Sequence, residues 1–94
     1  MKAAVLYGDN DIRIESLKKP IPEINEALIE VKVTGICGSD LPRVLNDGAH
    51  FYPIVLGHEF SGVVEAVADN EYGIKIGDKV ACAPLLPCHN CREC

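Results

Sequence analysis

The sequence predicts a mainly β fold, either a barrel or a sandwich. Five short runs are rich in aliphatic and β-branched residues, and turn-forming pairs such as Asp69-Asn70 and Gly77-Asp78 stand beside the later ones. A single short helix is predicted to begin near Ser39-Asp40, where a hydroxyl or carboxylate can cap free amides. Many short strands punctuated by turns are typical of an all-β domain. The predicted strands cover residues 3–7, 12–15, 27–33, 62–68 and 79–83.

Each element follows from its own residues, in chain order. The first two predicted strands are short aliphatic runs separated by the polar turn at residues 8–11. Residues 19–22 form a connector, because two prolines remove amide donors and favour extended geometry. The strand at 27–33 alternates between the two faces, as a half-buried strand does. Pro42 suits the first turn of the helix, and the last two strands are again short apolar runs.

Composition excludes several classes of partner. The chain has 94 residues, 48% of them hydrophobic, which is enough for one domain with a buried core. Its 9 Lys+Arg against 14 Asp+Glu give a net charge of −5, whereas nucleic acids and anionic membranes need clustered Lys and Arg. The first apolar run is too short for a signal peptide, and no segment approaches the roughly 20 apolar residues that span a bilayer. We expect a cytoplasmic protein with no nucleic-acid or membrane partner.

Three of the five cysteines, Cys88, Cys91 and Cys94, stand in the last seven residues, here called the cysteine segment (88–94). In a reducing compartment such a group favours a metal over disulfides. The repeated spacing lets one loop turn several thiolates toward a zinc ion, whose fourth ligand is either His89 or a residue beyond the segment. An iron–sulfur cluster and free or redox-active thiols are the alternatives. Cys82, by contrast, is predicted to be a buried strand cysteine.

A second set of candidate ligands, here called the ligand cluster, lies on two separate segments. Cys37 offers a thiolate, His58 an imidazole and Glu59 a carboxylate, and all three are zinc ligand types. If folding joins the segments, a site with space for water or substrate results. The pair His58-Glu59 also invites comparison with the HExxH helix of metallopeptidases, but Gly62 replaces the second histidine, so a peptidase is rejected.

Together these motifs resemble the medium-chain alcohol dehydrogenase superfamily. The run Gly57-His58-Glu59-x-x-Gly62 looks like its zinc signature, and Cys37-Gly38-Ser39-Asp40 resembles its first-ligand segment. Gly77-Asp78-Lys79-Val80 and then the cysteine segment follow in the order that this family shows. Within the superfamily, three further stretches look most like the polyol dehydrogenase branch. They are residues 41–43, 46–54 and 83–88.

The resemblance implies that residues 1–94 are the incomplete amino-terminal part of a catalytic domain with a GroES-like, partly open β-barrel. A Rossmann domain that binds NAD would follow in the full-length enzyme, since no G-x-G-x-x-G loop stands in this sequence. That enzyme would be a homo-oligomer transferring a hydride from a secondary alcohol of a polyol or polyol phosphate to NAD. Residues 1–94 alone would be inactive.

The resemblance also implies roles for single residues. Cys37 and His58 would be catalytic zinc ligands, and Glu59 would be a ligand or lie immediately behind the metal. Ser39 would pass the alcohol proton outward, and Asp40 would orient His58, as carboxylates commonly do for metal-bound imidazoles. Three of the four structural zinc ligands would be Cys88, Cys91 and Cys94.

Two features leave the interpretation open. Many alcohol dehydrogenases continue the proton relay with a histidine shortly after the Cys–Ser pair, whereas this chain has Leu41-Pro42, so protons would leave by water or another group. Arg43 is a candidate clamp for a substrate phosphate, weighed against an ordinary solvated arginine. The alternative functions are a non-catalytic, zinc-stabilised binding module and an electron-transfer protein built on the cysteine segment.

Overall fold

The computed structural model describes residues 1–93, and in that range it contains six strands and one helix. The elements are β1 (Lys2–Gly8), β2 (Asp11–Ser16), β3 (Ala27–Thr34), α1 (Asp40–Leu45), β4 (Ile54–Val55), β5 (Phe60–Val67) and β6 (Lys79–Ala81). The strands form two antiparallel three-stranded sheets, ordered β2-β1-β4 and β3-β5-β6. The predicted mainly β class is confirmed. Among the described residues, no helix is both long and apolar enough to cross a membrane.

The five predicted strands are all present, and none of their ends is displaced by more than two residues. β5 begins two residues before its predicted start, and β6 ends two residues before its predicted end. β4 is not predicted by the sequence, because two residues carry no periodicity. It pairs Val55 with Val5 and Ile54 with Leu6, and so adds a third strand to the first sheet.

The pairing of β3 with β5 decides where the functional segments lie. Thr34, the last residue of β3, pairs with Phe60, the first residue of β5. In an antiparallel pair this register places the segment after β3 beside the segment before β5. Gly62 permits the close approach, because a Cβ at this position would collide with the backbone carbonyl of Glu30. Glycine is the residue that strands use where another backbone comes this close.

The core within residues 1–93 is small. Its buried hydrophobic side chains are Val5, Leu6 and Val64. The accessible surface of 7381 Å² exceeds the roughly 5,300 Å² expected for a compact protein of this length. Hydrophobic side chains such as Ile14 and Leu86 stay exposed, at 72% and 102%. A buried core is therefore present, as expected, but it is small within the described residues, and much apolar surface is open to contact.

Candidate functional site

The adjoining ends of β3 and β5 bring the ligand cluster together. The sulfur of Cys37, a ring nitrogen of His58 and a carboxylate oxygen of Glu59 lie within 4.8 Å of one another. Two hydrogen bonds to the Glu59 carbonyl hold the segments side by side. The Gly35 amide donates at 2.8 Å, and the Thr34 hydroxyl donates at 3.1 Å. The strand ladder thus continues past β3 and positions two ligands against the third.

Two glycines make room for these ligands. Gly57, directly before His58, has φ +125°, a conformation that residues with a Cβ rarely adopt. Gly35 faces Glu59, and a Cβ on Gly35 would lie 2.5 Å from a carboxylate oxygen of that residue. The sequence motif contains Gly57, but sequence reasoning misses Gly35. Its role depends on a contact with a distant segment, and only its nearness to Cys37 along the chain could have pointed to it.

Asp40 is the buried carboxylate of the site, with 7% of its surface exposed. One of its oxygens accepts a hydrogen bond from the Cys37 amide at 3.0 Å, and the other accepts one from the Arg43 guanidinium at 3.2 Å. His58 Nδ1 lies 3.6 Å from that second oxygen. A buried carboxylate needs such partners to offset its lost hydration. Asp40 therefore ties together the backbone of one candidate ligand and the ring of another.

The start of α1 is organised differently from the prediction. The helix begins at Asp40, but the Ser39 side chain makes no capping hydrogen bond. The turn is closed instead between Asp40 and Cys37, because the Asp40 amide donates to the Cys37 carbonyl at 2.9 Å while the Asp40 carboxylate accepts from the Cys37 amide. The prediction that a hydroxyl or carboxylate at this point caps the helix is wrong for Ser39. Its hydroxyl is left available to the neighbouring cleft.

The donor set of the ligand cluster fits zinc. A tetrahedral zinc ion with bonds of roughly 2.0–2.3 Å separates its ligand atoms by about 3.3–3.8 Å. Atoms that already lie within 4.8 Å of one another need only a small closing movement to reach this spacing. Three protein ligands are also the usual number in a catalytic zinc site, where the fourth position stays open for water or substrate.

A cleft of about 390 Å³ opens beside the ligand cluster. Its volume falls in the range of about 300–1,000 Å³ that is usual for small-molecule sites. His58 and Ser39 line it, so a ligand in the cleft lies against one candidate metal ligand and the candidate proton carrier. Arg43 and His50 line it as well. Sequence reasoning singles out Arg43 but not His50, because no motif marks a histidine in a loop.

The cysteine segment is exposed throughout its described part. Cys88 and Cys91 follow β6 in a stretch without helix or strand, and the predicted third ligand, Cys94, lies outside the described residues. The proposed structural zinc set therefore stays a prediction. His89 is exposed and has φ +54°. The prediction for Cys82 is wrong. This residue is exposed, because β6 ends before it at the edge of its sheet.

Comparison with known proteins identifies the family of the chain. The alcohol dehydrogenase GroES-like domain family matches residues 23–94. The chain belongs to this family. It is 47% identical over 95 residues to galactitol 1-phosphate 5-dehydrogenase of Escherichia coli (strain K12), a match that covers 100% of the chain and 28% of the relative. The crystal structure of galactitol-1-phosphate dehydrogenase from Escherichia coli superimposes with a TM-score of 0.90 at 47% identity, again covering 100% and 28%.

Two further relatives widen the comparison. The GroES-like chain is 43% identical over 100 residues to sorbitol dehydrogenase of Bacillus subtilis (strain 168), covering 100% of the chain and 28% of the relative. An alcohol dehydrogenase of Escherichia coli CFT073, solved with cofactor NADH, superimposes with a TM-score of 0.85 at 35% identity, covering 100% and 27%. The chain thus spans about 28% of the length of the first curated relatives. The predicted GroES-like fold and the resemblance to alcohol and polyol dehydrogenases are confirmed.

Proposed function

We propose that residues 1–94 are the amino-terminal part of the catalytic domain of a zinc-dependent, NAD-linked polyol dehydrogenase, with galactitol 1-phosphate as the favoured substrate. The convergence of Cys37, His58 and Glu59 within 4.8 Å carries the proposal. The 47% identity to a dehydrogenase of that substrate supports the choice of polyol. In this proposal the NAD-binding domain lies outside residues 1–94, and the full-length enzyme is a cytoplasmic homo-oligomer.

The ligand cluster would hold the catalytic zinc. When bound, zinc supplies a Lewis acid that lowers the pKa of a secondary alcohol enough for it to lose its proton near neutral pH. Asp40 lies behind the imidazole of His58, with Nδ1 3.6 Å from one of its carboxylate oxygens, and would orient the ring. An imidazole that faces a carboxylate through Nδ1 presents Nε2 as its other ligand atom. Asp40 is thus a positioning residue, because it acts on the substrate only through His58.

Ser39 would carry the proton away from the substrate. Its hydroxyl makes no capping hydrogen bond and lines the cleft beside His58. A hydroxyl can accept one proton while it donates its own, so it can pass charge without holding it. The carboxylate of the next residue, Asp40, already accepts hydrogen bonds from the Cys37 amide and Arg43, and Leu41 and Pro42 offer no acceptor. Ser39 is also exposed. The proton therefore passes from Ser39 to water.

The cysteine segment would hold a second, structural zinc through Cys88, Cys91 and Cys94. Thiolates at this spacing suit a closed tetrahedral site, which stabilises the fold and takes no part in the reaction. The fourth ligand would be His89 or a residue outside residues 1–94. Metal analysis separates this from the iron–sulfur alternative, since a zinc protein is colourless whereas a cluster absorbs visible light.

The test is zinc-dependent formation of NADH from galactitol 1-phosphate by the full-length protein. Cys37→Ser should abolish the activity, because it removes a ligand of the proposed catalytic metal. Cys82→Ser is the matched control, since Cys82 is an exposed cysteine outside the ligand cluster and should tolerate the change. Full activity in Cys37→Ser, or no oxidation of any polyol by the zinc-loaded wild type, would overturn the proposal. A protein of residues 1–94 alone should show no turnover.

A further inference from the structure

The cleft beside the ligand cluster differs in charge from the chain as a whole. The chain has 9 Lys+Arg against 14 Asp+Glu. Among the described residues, those that line the cleft include Arg43, His50 and His58 but no aspartate or glutamate. His58 is assigned to zinc in the proposed function. The cleft therefore has no carboxylate in its lining and contains two hydrogen-bond donors, Arg43 and His50. The proposed mechanism uses neither of them.

Arg43 is anchored from behind by Asp40. Its Nη1 donates to the Asp40 carboxylate at 3.2 Å, and the arginine side chain is 32% exposed while the aspartate side chain is 10% exposed. This bond uses one of the five N–H groups of the guanidinium, so others remain for an acceptor in the cleft. Anchoring also lowers the entropy that the arginine loses when it binds a second partner. Arg43 is thus suited to bind an anion and is more than a solvated surface arginine.

His50 reaches the same cleft from the loop between α1 and β4. That loop folds back on the helix, because the Gly48 amide donates to the Pro42 carbonyl at 3.1 Å. Glycine is needed there, since a Cβ on Gly48 would lie 2.8 Å from the same carbonyl oxygen. The turn is tied again where the Tyr52 hydroxyl lies 3.2 Å from a carboxylate oxygen of Asp47. The closed turn therefore lies between Arg43, in α1, and His50, in the loop after the helix, and both residues line the cleft.

We infer that Arg43 and His50 form the subsite that binds the phosphate group of a polyol phosphate substrate. The guanidinium offers parallel N–H donors that match two phosphate oxygens, and an imidazole N–H supplies a donor to a further oxygen. The inference rests on the proposed function. It adds to that function that two residues of this chain make the enzyme prefer a phosphorylated polyol to an unphosphorylated one.

The experiment compares galactitol 1-phosphate with galactitol, which lacks only the phosphate, as substrates of the zinc-loaded full-length enzyme. The measured quantity is the ratio of the two kcat/KM values. Arg43→Met should lower this ratio by about 30- to 100-fold, because a charge-assisted pair of hydrogen bonds is lost. His50→Ala should lower it by about 3- to 10-fold, since one hydrogen bond is lost. Arg13→Met is the matched control, because Arg13 pairs with Asp11 at 2.7 Å outside the cleft, and the ratio should not change.

Other results would overturn the inference. If Arg43 only neutralises Asp40, Arg43→Met lowers both kcat/KM values equally and leaves the ratio at its wild-type value. A wild-type enzyme that does not prefer the phosphorylated polyol also overturns it, while the proposed dehydrogenase activity stands. If the wild type oxidises no polyol, the proposed function fails. Calorimetric titration of galactitol 1-phosphate into the wild type and Arg43→Met then decides the subsite separately, and equal affinities, or no binding to either, would overturn it.

Discussion

The two groups of candidate metal ligands are held in place in different ways. The ligand cluster is built from two segments joined by the β3–β5 hydrogen bonds and by the buried carboxylate of Asp40. Cys88 and Cys91 lie on an exposed stretch without helix or strand. In the first group the fold brings the ligands together. In the second, the structural zinc set that we propose, the local spacing of the chain would have to do so. The first should therefore respond to changes in the sheet, and the second to loss of its own cysteines.

The largest expected effect comes from Gly62→Val, which acts on the ligand cluster through the sheet alone. A Cβ at position 62 collides with the Glu30 carbonyl and lies 2.8 Å from the Ile29 side chain. β3 and β5 must then separate, which costs several kcal/mol by the usual scale of backbone clashes and overpacking. We expect the variant to lose its cooperative thermal transition by circular dichroism. Gly8→Ala is the control, because a Cβ there meets no atom within 4 Å. A variant that melts like the wild type would contradict the expectation.

A smaller effect, confined to one group, is expected from Asp40→Asn. This change keeps the shape of the side chain but removes the charge that faces His58 and Arg43. Loss of such a supporting carboxylate typically weakens metal binding by about 10- to 100-fold. Competition of the full-length protein with a zinc chelator should show this loss for the zinc proposed at the ligand cluster, and not for the one proposed at the cysteine segment. Equal weakening of both zinc ions, or of neither, would show that the two groups are not independent.

Two variants serve as controls for that titration. Cys88→Ser is the converse change and should weaken binding of the zinc proposed at the cysteine segment, while the ligand cluster keeps its affinity. Asp78→Asn is the matched aspartate change, because the Asp78 carboxylate accepts a backbone hydrogen bond from Lys75 at 2.9 Å in a turn outside both groups. It should leave the affinity for both zinc ions within about threefold of the wild type, as surface substitutions usually do.

The comparison also explains what sequence reasoning could reach. Cys37, His58 and Glu59 stand in short motifs whose residue types indicate zinc without any knowledge of the fold. The roles of Gly35 and His50 depend on which segments become neighbours, and that is decided by strand register and loop closure. The small size of the core could not be predicted for a related reason. Hydrophobic composition shows which residues can be buried, but it does not show which of their side chains pack against one another within residues 1–93.

The smallest expected effect concerns the ion pair of Arg13 and Asp11, which lies outside both groups. Arg13 Nε and Nη2 donate to the two carboxylate oxygens of Asp11 at 2.9 and 2.7 Å, and the hydrogen bond from Arg13 is the main cause that lowers the pKa of Asp11 below its ordinary value of 3.8. A lowered pKa in the folded state means that the pair stabilises the fold above the unfolded pKa, and that this contribution is lost as the pH falls through the folded one.

Asp11→Asn should therefore lower the Tm slightly at pH 7, and the difference from the wild type should vanish on acidification to below the Asp11 pKa. Because both side chains are substantially exposed, the difference at pH 7 should also shrink in 1 M salt, where charges are screened within about 3 Å. Zinc affinity should not change at either group, since the pair lies on β2 in the other sheet from β3 and β5. A Tm difference that grows as the pH falls would mean that Asp11 stabilises the fold in its protonated form, and would contradict the role of the ion pair.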